Sequence, residues 1–202
     1  MRLNRTLLWV GLALLGIFAG LQIWTGSSQN PQNLVASQPT GAPFTLDSHQ
    51  GEVSLSDLDD DQLALIYFGY TWCPDICPMS MVFLAKALKD LPEELRSRVQ
   101  PIFISVDPQR DTPERLQAYV KFFEAGIIGV TGEEEELKEL AGQYGAYYQR
   151  VELDSAMGYA VDHTSDFYLA NNKGELVATL SHNTSGNQLQ ETLIDALEKS
   201  PE

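Results

Sequence analysis

An unbroken apolar run at residues 63–69 leads directly into the chain's only two cysteines, Cys73 and Cys77. Such a run predicts a strand that a central sheet buries on both faces. Residues 79–91 then place apolar side chains at helical spacing, which predicts an amphipathic helix. This order puts both thiols at the N-terminal end of a helix, where the helix dipole favours thiolate over thiol. The chain thus concentrates its sulfur chemistry in one place.

Three interpretations of this cysteine pair remain open on spacing alone. A structural disulfide between Cys73 and Cys77 would close a very small loop, so its entropic contribution to stability would be small. A redox dithiol is the second interpretation, although thioredoxin-type dithiols usually have two residues between the cysteines rather than three. A copper site is the third, because thiolates bind soft metals.

Strand and helix patterns alternate along residues 43–202 and end in an antiparallel hairpin. Thr112 and Pro113 mark one helix start, Thr131 is expected to cap the helix over residues 133–144, and Gly145 is expected to end that helix. The pattern predicts an α/β, thioredoxin-like sandwich, with a central mixed sheet flanked by helices, an N-terminal hairpin and an inserted hairpin. The predicted strands are residues 43–46, 53–55, 62–69, 100–106, 127–130, 147–153, 158–162, 166–170 and 175–180, and the predicted helices are residues 79–91, 112–123, 133–144 and 187–199.

The N-terminal residues predict a membrane anchor. Residues 7–24 carry no charge, and as a helix they would span roughly 27 Å, close to the hydrocarbon thickness of a bilayer. A cleaved signal peptide is the alternative, but its apolar part is usually shorter. We therefore expect a transmembrane helix within residues 1–24, a flexible linker at 25–42 and a domain at 43–202. The basic residues before the helix predict a cytoplasmic N-terminus, which leaves the domain on the other side.

A formal net charge of -15 argues against a nucleic-acid partner, because phosphate binding requires lysine and arginine. An acidic surface would suit a partner with a basic patch, but it also serves solubility. The acidic run at 133–136 falls at a predicted helix N-terminus, where the helix dipole explains it. Neither this run nor the one at 59–61 has the spaced oxygen ligands of a calcium loop.

One of the three histidines is placed to join the cysteines. His163 comes just before the strand at 166–170, and in a thioredoxin-like sheet that loop lies beside the N-terminal end of the helix after the cysteines. His49 and His182 lie in polar turns without potential co-ligands. Two thiolates and one imidazole can hold copper in either oxidation state, whereas zinc would need a fourth ligand.

The soft and acidic side chains near the pair offer further donors. Asp75 is the nearest candidate for a fourth ligand to zinc. Met79 is expected to be partly exposed and Met81 to pack in the core, so neither is favoured as a thioether ligand. The stretch at 161–167, where thioredoxin-type oxidoreductases carry a cis-proline, holds a histidine and no proline.

Three motifs in this order resemble the Sco (SenC) family of thioredoxin-fold, copper-binding proteins that assemble cytochrome c oxidase. They are GYTWCPDICP at 69–78, FISVDPQRDTP at 103–113 and VDHT at 161–164, and the resemblance covers about residues 43–197. It implies one copper ion held by Cys73, Cys77 and His163. It also implies delivery of copper to the CuA centre of oxidase subunit II, reduction of that subunit's cysteines by Cys73 and Cys77, or both; a redox sensor is a further alternative.

The resemblance also bears on location and on the residues around the site. It implies a bacterial inner-membrane protein with its domain in the periplasm, and a second periplasmic copper chaperone as a possible donor. Asp107, Arg110 and Asp111 are expected to support the site, to dock a partner or to form a structural arginine–carboxylate network. Trp72 is expected to shield the site or to contact the partner.

Overall fold

The computed structural model describes residues 38–199. These residues contain nine strands, five α-helices and one short 3-10 helix, Leu55–Asp57. The strands are β1 (Thr45–Ser48), β2 (Gly51–Ser54), β3 (Leu63–Gly69), β4 (Val99–Ser105), β5 (Ile128–Thr131), β6 (Tyr148–Glu152), β7 (Tyr159–His163), β8 (Phe167–Ala170) and β9 (Leu176–Leu180). The helices are α1 (Ile76–Lys89), α2 (Glu93–Arg96), α3 (Pro113–Lys121), α4 (Glu134–Gln143) and α5 (Gly186–Lys199).

A mixed seven-stranded sheet in the order β2-β1-β5-β4-β3-β8-β9 forms the centre of the domain. Strands β3, β4 and β5 are parallel, while β1, β8 and β9 pair antiparallel with their neighbours. Every residue of β3 is buried, as its apolar sequence predicts. The predicted mixed sheet with flanking helices is therefore confirmed.

The parallel strands bring their carboxyl ends to one edge of the sheet. Gly69 at the end of β3 pairs in register with Ser105 at the end of β4. The loop that follows β3 carries Cys73, and the loop that follows β4 carries Asp107 and Arg110. Because the ends of parallel strands lie together, two segments far apart in sequence form one cluster of polar and sulfur side chains.

Local signals predict one helix start correctly and another wrongly. Thr112 caps α3, accepting a hydrogen bond from the backbone N–H of Arg115, and Pro113 is the first helical residue. Thr131, the expected cap of α4, instead ends β5, and Glu133 occupies the N-cap position. Thr131 belongs to the sheet because this residue pairs with Asp47 of β1, and the local sequence does not reveal that contact. Gly145 follows the end of α4 with a φ of 76°, as expected for a C-terminal glycine.

The inserted hairpin forms a separate two-stranded sheet of β6 and β7. His163 is the last residue of β7 and pairs with Tyr148, so it lies on a strand rather than in the loop that the sequence predicts. The pairing with β6 extends β7 to this residue. The position of the histidine is therefore set by the hairpin.

Within residues 38–199, no helix has the length and apolar character that crossing a bilayer would require. The expected anchor at 1–24 and the linker up to residue 37 lie outside the described residues. Residues 40–42 hydrogen-bond to the domain: the main-chain oxygen of Thr40 accepts from Leu176, and that of Ala42 accepts from the Tyr144 hydroxyl. The boundary at residue 43 stays a prediction.

Candidate metal centre

The two cysteines lie where the loop after β3 turns into α1. Cys73 precedes the helix and Cys77 is its second residue. The backbone N–H of Cys77 donates to Cys73 Sγ over 3.4 Å, so a helix N-terminal N–H faces the first sulfur. Cys77 is fully buried, while Cys73 keeps 9% of its surface exposed. Both are free thiols, and of the two Cys73 is the one that solvent or a partner can reach.

His163 joins the cysteines from the inserted hairpin. Its Nε2 lies 3.2 Å from Cys77 Sγ, and the donor atoms of Cys73, Cys77 and His163 all lie within 4.8 Å of one another. On the other side of the ring, Nδ1 contacts the main-chain oxygen of Thr164 at 3.0 Å. Because a carbonyl oxygen only accepts, Nδ1 carries a hydrogen, and Nε2 is the ring nitrogen that faces the sulfurs.

The pKa values of the two thiols are shifted in opposite directions. A hydrogen bond from Cys77 lowers the pKa of Cys73 to about 4, with further help from His163 and the backbone N–H groups of Asp75 and Cys77, against the opposing effect of burial. Burial raises the pKa of Cys77 well above its usual range, and the neighbouring Cys73 sulfur raises it further. The apo site is therefore a thiolate hydrogen-bonded to a thiol.

The donor set fits a soft metal ion. Two sulfurs suit Cu(I), and an added imidazole nitrogen allows Cu(II). Asp75, considered beside water as a fourth ligand for zinc, is exposed at the N-cap of α1 and is not one of the three converging residues. Met81 is fully buried in the core and Met79 is 43% exposed, as expected for side chains without a ligand role.

Gly69 makes room for the Cys77 sulfur. A Cβ atom at this position would lie 3.0 Å from Cys77 Sγ, 2.9 Å from the Tyr67 ring and 3.0 Å from the Phe103 ring. These distances are shorter than ordinary van der Waals contact, and the surrounding rings are buried. A glycine inside a strand often marks such a close approach.

Gly69→Ala is expected to displace the Cys77 sulfur and to destabilise the reduced apo protein by about 1–3 kcal/mol, the usual cost of overpacking a core. Thermal unfolding measures this effect. Gly142→Ala is the matched control: it lies in α4 with no atom near the added Cβ, so it should be neutral or stabilising by up to about 1 kcal/mol. Equal unfolding temperatures for Gly69→Ala and the wild type would contradict the close approach.

Asp111 fixes the loop that leads to the cysteines. Its fully buried carboxylate accepts from the Thr71 backbone N–H at 2.8 Å, the Thr71 hydroxyl at 2.6 Å and the Ser105 hydroxyl at 2.8 Å. Burial raises the pKa of Asp111, and these donors oppose the rise. Arg115 lies 3.6 Å from the same carboxylate. The expected arginine–carboxylate network is present, and it anchors the loop to the end of β4.

A second part of the network joins Asp107 and Arg110. The two side chains form an ion pair, and the Tyr159 hydroxyl donates to Asp107 Oδ1 over 2.7 Å. The Arg110 guanidinium lies 5.4 Å from the centre of the Trp72 ring. Trp72 itself is 40% exposed beside Cys73, so its expected role in contact with a partner remains a prediction.

The other candidate positions lie away from the sulfurs or have structural partners. His49 and His182 are exposed, as predicted. Asp61 pairs with Arg98, and the acidic run at 133–136 begins α4, where the dipole favours it.

Sequence reasoning missed three aromatic neighbours of the site. The edges of the Tyr67 and Tyr70 rings meet the His163 ring, with centroids 6.1 and 5.8 Å apart, and Tyr159 contacts Asp107 and Arg110. Tyr67 resembles an ordinary core residue in an apolar strand, and Tyr159 lies 49 residues from Arg110. The one available signal was Gly69 at the end of the apolar run, because a glycine in a strand often marks a close approach of other atoms.

The domain has the features of a class of thiol and metal proteins: a thioredoxin-like α/β fold, two cysteines at a helix N-terminus and a histidine from an inserted hairpin. The SCO1/SenC family model matches residues 32–198. The chain therefore belongs to the SCO1/SenC family, and the resemblance found in the sequence is confirmed.

Relatives in bacteria and mitochondria agree with this assignment. A SCO2-like protein of Rickettsia prowazekii is 37% identical over 152 residues, which cover 75% of this chain and 74% of the relative. The human mitochondrial SCO1 homologue is 37% identical over 144 residues, covering 71% of this chain and 48% of that protein. The chain thus spans only about half the length of this mitochondrial relative.

Solved structures share the fold. The structure of Arabidopsis thaliana ScoI with copper bound has a TM-score of 0.70 at 33% identity, covering 79% of this chain and 99% of that chain. Yeast Sco1 with copper bound also has a TM-score of 0.70, at 31% identity, covering 79% and 89%.

Proposed function

We propose that this protein is a copper carrier that binds one copper ion through Cys73, Cys77 and His163. The observation that carries the proposal is the convergence of two sulfurs and one imidazole nitrogen within 4.8 Å at the end of a buried sheet. Thiolates select Cu(I), and imidazole extends the site to Cu(II). Nδ1 of His163 contacts the main-chain oxygen of Thr164, which leaves Nε2 as the nitrogen that faces the sulfurs and can bind the metal.

The comparisons support copper as the ion. Structures of Arabidopsis and yeast relatives carry bound copper. A further structural neighbour, BsSco, is 26% identical with a TM-score of 0.57 and is a member of the Sco family of cytochrome c oxidase assembly proteins. We extend this to the present chain: its recipient is the CuA centre of oxidase subunit II. The proposed setting is the periplasmic face of a bacterial inner membrane, where residues 1–24 anchor the domain and another copper chaperone can load it.

The site allows ligand exchange on the bound ion at one side. Cys77 is fully buried beneath the loop, whereas Cys73 and the neighbouring Trp72 reach the surface. An incoming thiolate from a partner can therefore approach the ion beside Cys73 while Cys77 and His163 still hold it. Cys73 is already a thiolate, so only the Cys77 proton must leave when the ion binds.

Anaerobic titration of the reduced protein with Cu(I), against a chromophoric competitor, tests this proposal. We expect one tightly held copper per chain, followed by transfer to a reduced apo CuA domain when the two proteins are mixed. Metal analysis after gel filtration measures both steps. Copper that washes off the wild-type protein at stoichiometric loading would contradict the carrier.

Thiol–disulfide exchange is a second candidate, because the site pairs an accessible thiolate with a buried thiol. In this reaction Cys73 attacks a disulfide of the partner and forms a mixed disulfide, releasing one partner thiolate. Cys77 then loses its proton and attacks Cys73, which releases the second partner thiol. The protein dithiol is oxidised by two electrons and the partner disulfide is reduced. The partner thiolate released in the first step takes up the Cys77 proton, so the exchange needs no metal and is not expected to depend on His163.

A metal-free assay separates the two candidates. Mixing the reduced protein with an oxidised CuA domain, in the presence of a copper chelator, should produce partner thiols only if exchange occurs. A disulfide switch has been identified in BsSco, which is the reason to run this assay. A redox sensor without cargo would show signalling loss without an oxidase defect in a strain that lacks the protein.

A further inference from the structure

We infer that Arg110 is a positioning residue that holds the hairpin carrying His163 against the loop carrying Cys73, and so sets the imidazole within reach of the sulfurs. The inference deepens the proposed function, since it concerns the same three donors. It stands on the contacts of one guanidinium group with both segments.

The hairpin has little apolar attachment of its own. Strands β6 and β7 form a separate two-stranded sheet, and among the residues described in them only Val161 is buried. Two-stranded hairpins are at best marginally stable without packing. A cavity of about 270 Å³ lies beneath the hairpin, lined by Tyr148 and Tyr159 among others. Polar contacts therefore add to the packing of Tyr148, Tyr159 and Val161 against the core in holding His163 in place.

Arg110 makes polar contacts with β7 and with the turn before it. Its Nη1 donates to the main-chain oxygen of Tyr159 at 3.1 Å and to that of Met157 at 3.4 Å. Its guanidinium carbon lies 3.6 Å from the centre of the Tyr159 ring, which is stacking distance. The Asp107 carboxylate completes the arrangement, since it pairs with Arg110 and accepts from the Tyr159 hydroxyl.

The same guanidinium contacts the cysteine loop. It lies 5.4 Å from the centre of the Trp72 ring and 5.8 Å from that of Tyr70, both within the range of cation–π attraction. Trp72 directly precedes Cys73, and the Tyr70 ring edge packs on the His163 ring. The Arg110 side chain is 15% exposed, so these contacts are largely shielded from water. One side chain thus ties the sulfur-bearing loop to the imidazole-bearing strand.

Arg150 offers a matched control. Its guanidinium also stacks on Tyr159, at 3.7 Å, but its side chain is 47% exposed and its ion pair is with Glu152 on the same hairpin. Outside the hairpin it donates to Gln109 Oε1 at 3.3 Å, in the loop after β4. Arg110→Lys and Arg150→Lys remove the same planar group and keep the same charge. A lysine cannot stack or reach two carbonyl oxygens in the fixed geometry of arginine. Only the first substitution should release the hairpin from the cysteine loop.

The first test is metal-free. In the reduced apo protein, amide hydrogen exchange across β7 should become about 10-fold faster or more in Arg110→Lys and change little in Arg150→Lys. Tyr159→Phe, which loses only the hydroxyl contact to Asp107, should give a smaller increase and serves as the second variant if Arg110→Lys folds poorly. Unchanged β7 exchange in the variants at Arg110 and Tyr159 would overturn the inference.

The second test uses copper and a double-mutant cycle. In Arg110→Lys, the rate of Cu(II) loss should rise about 10–100-fold, as for residues that orient a metal ligand, and the nitrogen coupling in the Cu(II) spectrum should weaken. The cycle is completed with Cu(I), which the His163→Ala protein is expected to keep: Arg110→Lys should speed Cu(I) loss when His163 is present and should add nothing in the His163→Ala background. An equal effect in both backgrounds would show that Arg110 does not act through His163. If the wild type binds no copper while β7 exchange still depends on Arg110, the proposed function fails and the positioning role stands.

Discussion

Cys77→Ser is expected to lower Cu(I) affinity by more than about 100-fold, because loss of a residue that merely orients a ligand already costs about 10–100-fold. Cys73→Ser should have a similar effect. The reason is chemical: Cu(I) prefers thiolate, and a serine hydroxyl is a hard, neutral donor. His163→Ala should affect the two oxidation states differently. Most of the Cu(I) affinity should remain, because the two sulfurs provide it, whereas Cu(II) should no longer be retained.

Competition titrations for Cu(I), and absorption and EPR spectra for Cu(II), measure these effects. His182→Ala is the control, since this histidine is exposed in a polar loop and should bind copper like the wild type. Unchanged retention of both oxidation states in His163→Ala would refute the three-ligand site. Unchanged Cu(I) affinity in either serine variant would refute the sulfur ligands.

Alkylation of Cys73 in the apo protein is expected to proceed at nearly the same rate at pH 6 and pH 8. The pKa of Cys73 is lowered to about 4, so its thiolate fraction is close to one throughout this window and falls only below it. An ordinary thiol with a pKa of about 8.5 loses about 80-fold in thiolate between these two values. The prediction concerns the shape of the profile, because a thiolate of low pKa is also intrinsically less nucleophilic. Cys77 should stay unmodified, since its raised pKa and burial keep it a thiol.

Iodoacetamide labelling followed by peptide mass analysis gives the profile. The cause of the low pKa can be tested at Cys77, whose hydrogen bond is the largest contribution. Cys77→Ala removes this donor and should move the inflection of Cys73 to higher pH, while Cys77→Ser keeps a hydroxyl donor and should fall between the alanine variant and the wild type. A Cys73 rate that drops about tenfold per pH unit below pH 8 would contradict the thiolate.

The sequence predicts those parts of the fold that depend on local patterns. The apolar run at 63–69 is buried along its whole length, and the cysteines lie at the start of the following helix, because composition and periodicity determine both. Thr131 and His163 were misplaced for a common reason. Each is the last residue of a strand whose end is set by pairing with another strand, through Asp47 for the first and Tyr148 for the second.

The candidate site divides in the same way. The sequence identified the three donors, and the structure brings them together. The groups that hold the donors in place could not be predicted from the sequence, because Arg110 contacts Tyr159 across 49 residues and Asp111 contacts Thr71 across 40 residues. A charged residue in a loop after a strand suggests some ion pair, but its partner depends on the packing of the whole edge of the sheet.

The sequence separation of 86 residues between Cys77 and His163 has a consequence for biogenesis. A chain that emerges from its N-terminus first exposes both sulfurs long before the imidazole is available. Copper captured at that stage would meet only the two sulfurs, which favour Cu(I) and lack the nitrogen that extends the site to Cu(II). In the proposed carrier, a site that holds both oxidation states therefore exists only after the hairpin has docked, so folding of the domain precedes its full use as a metal donor.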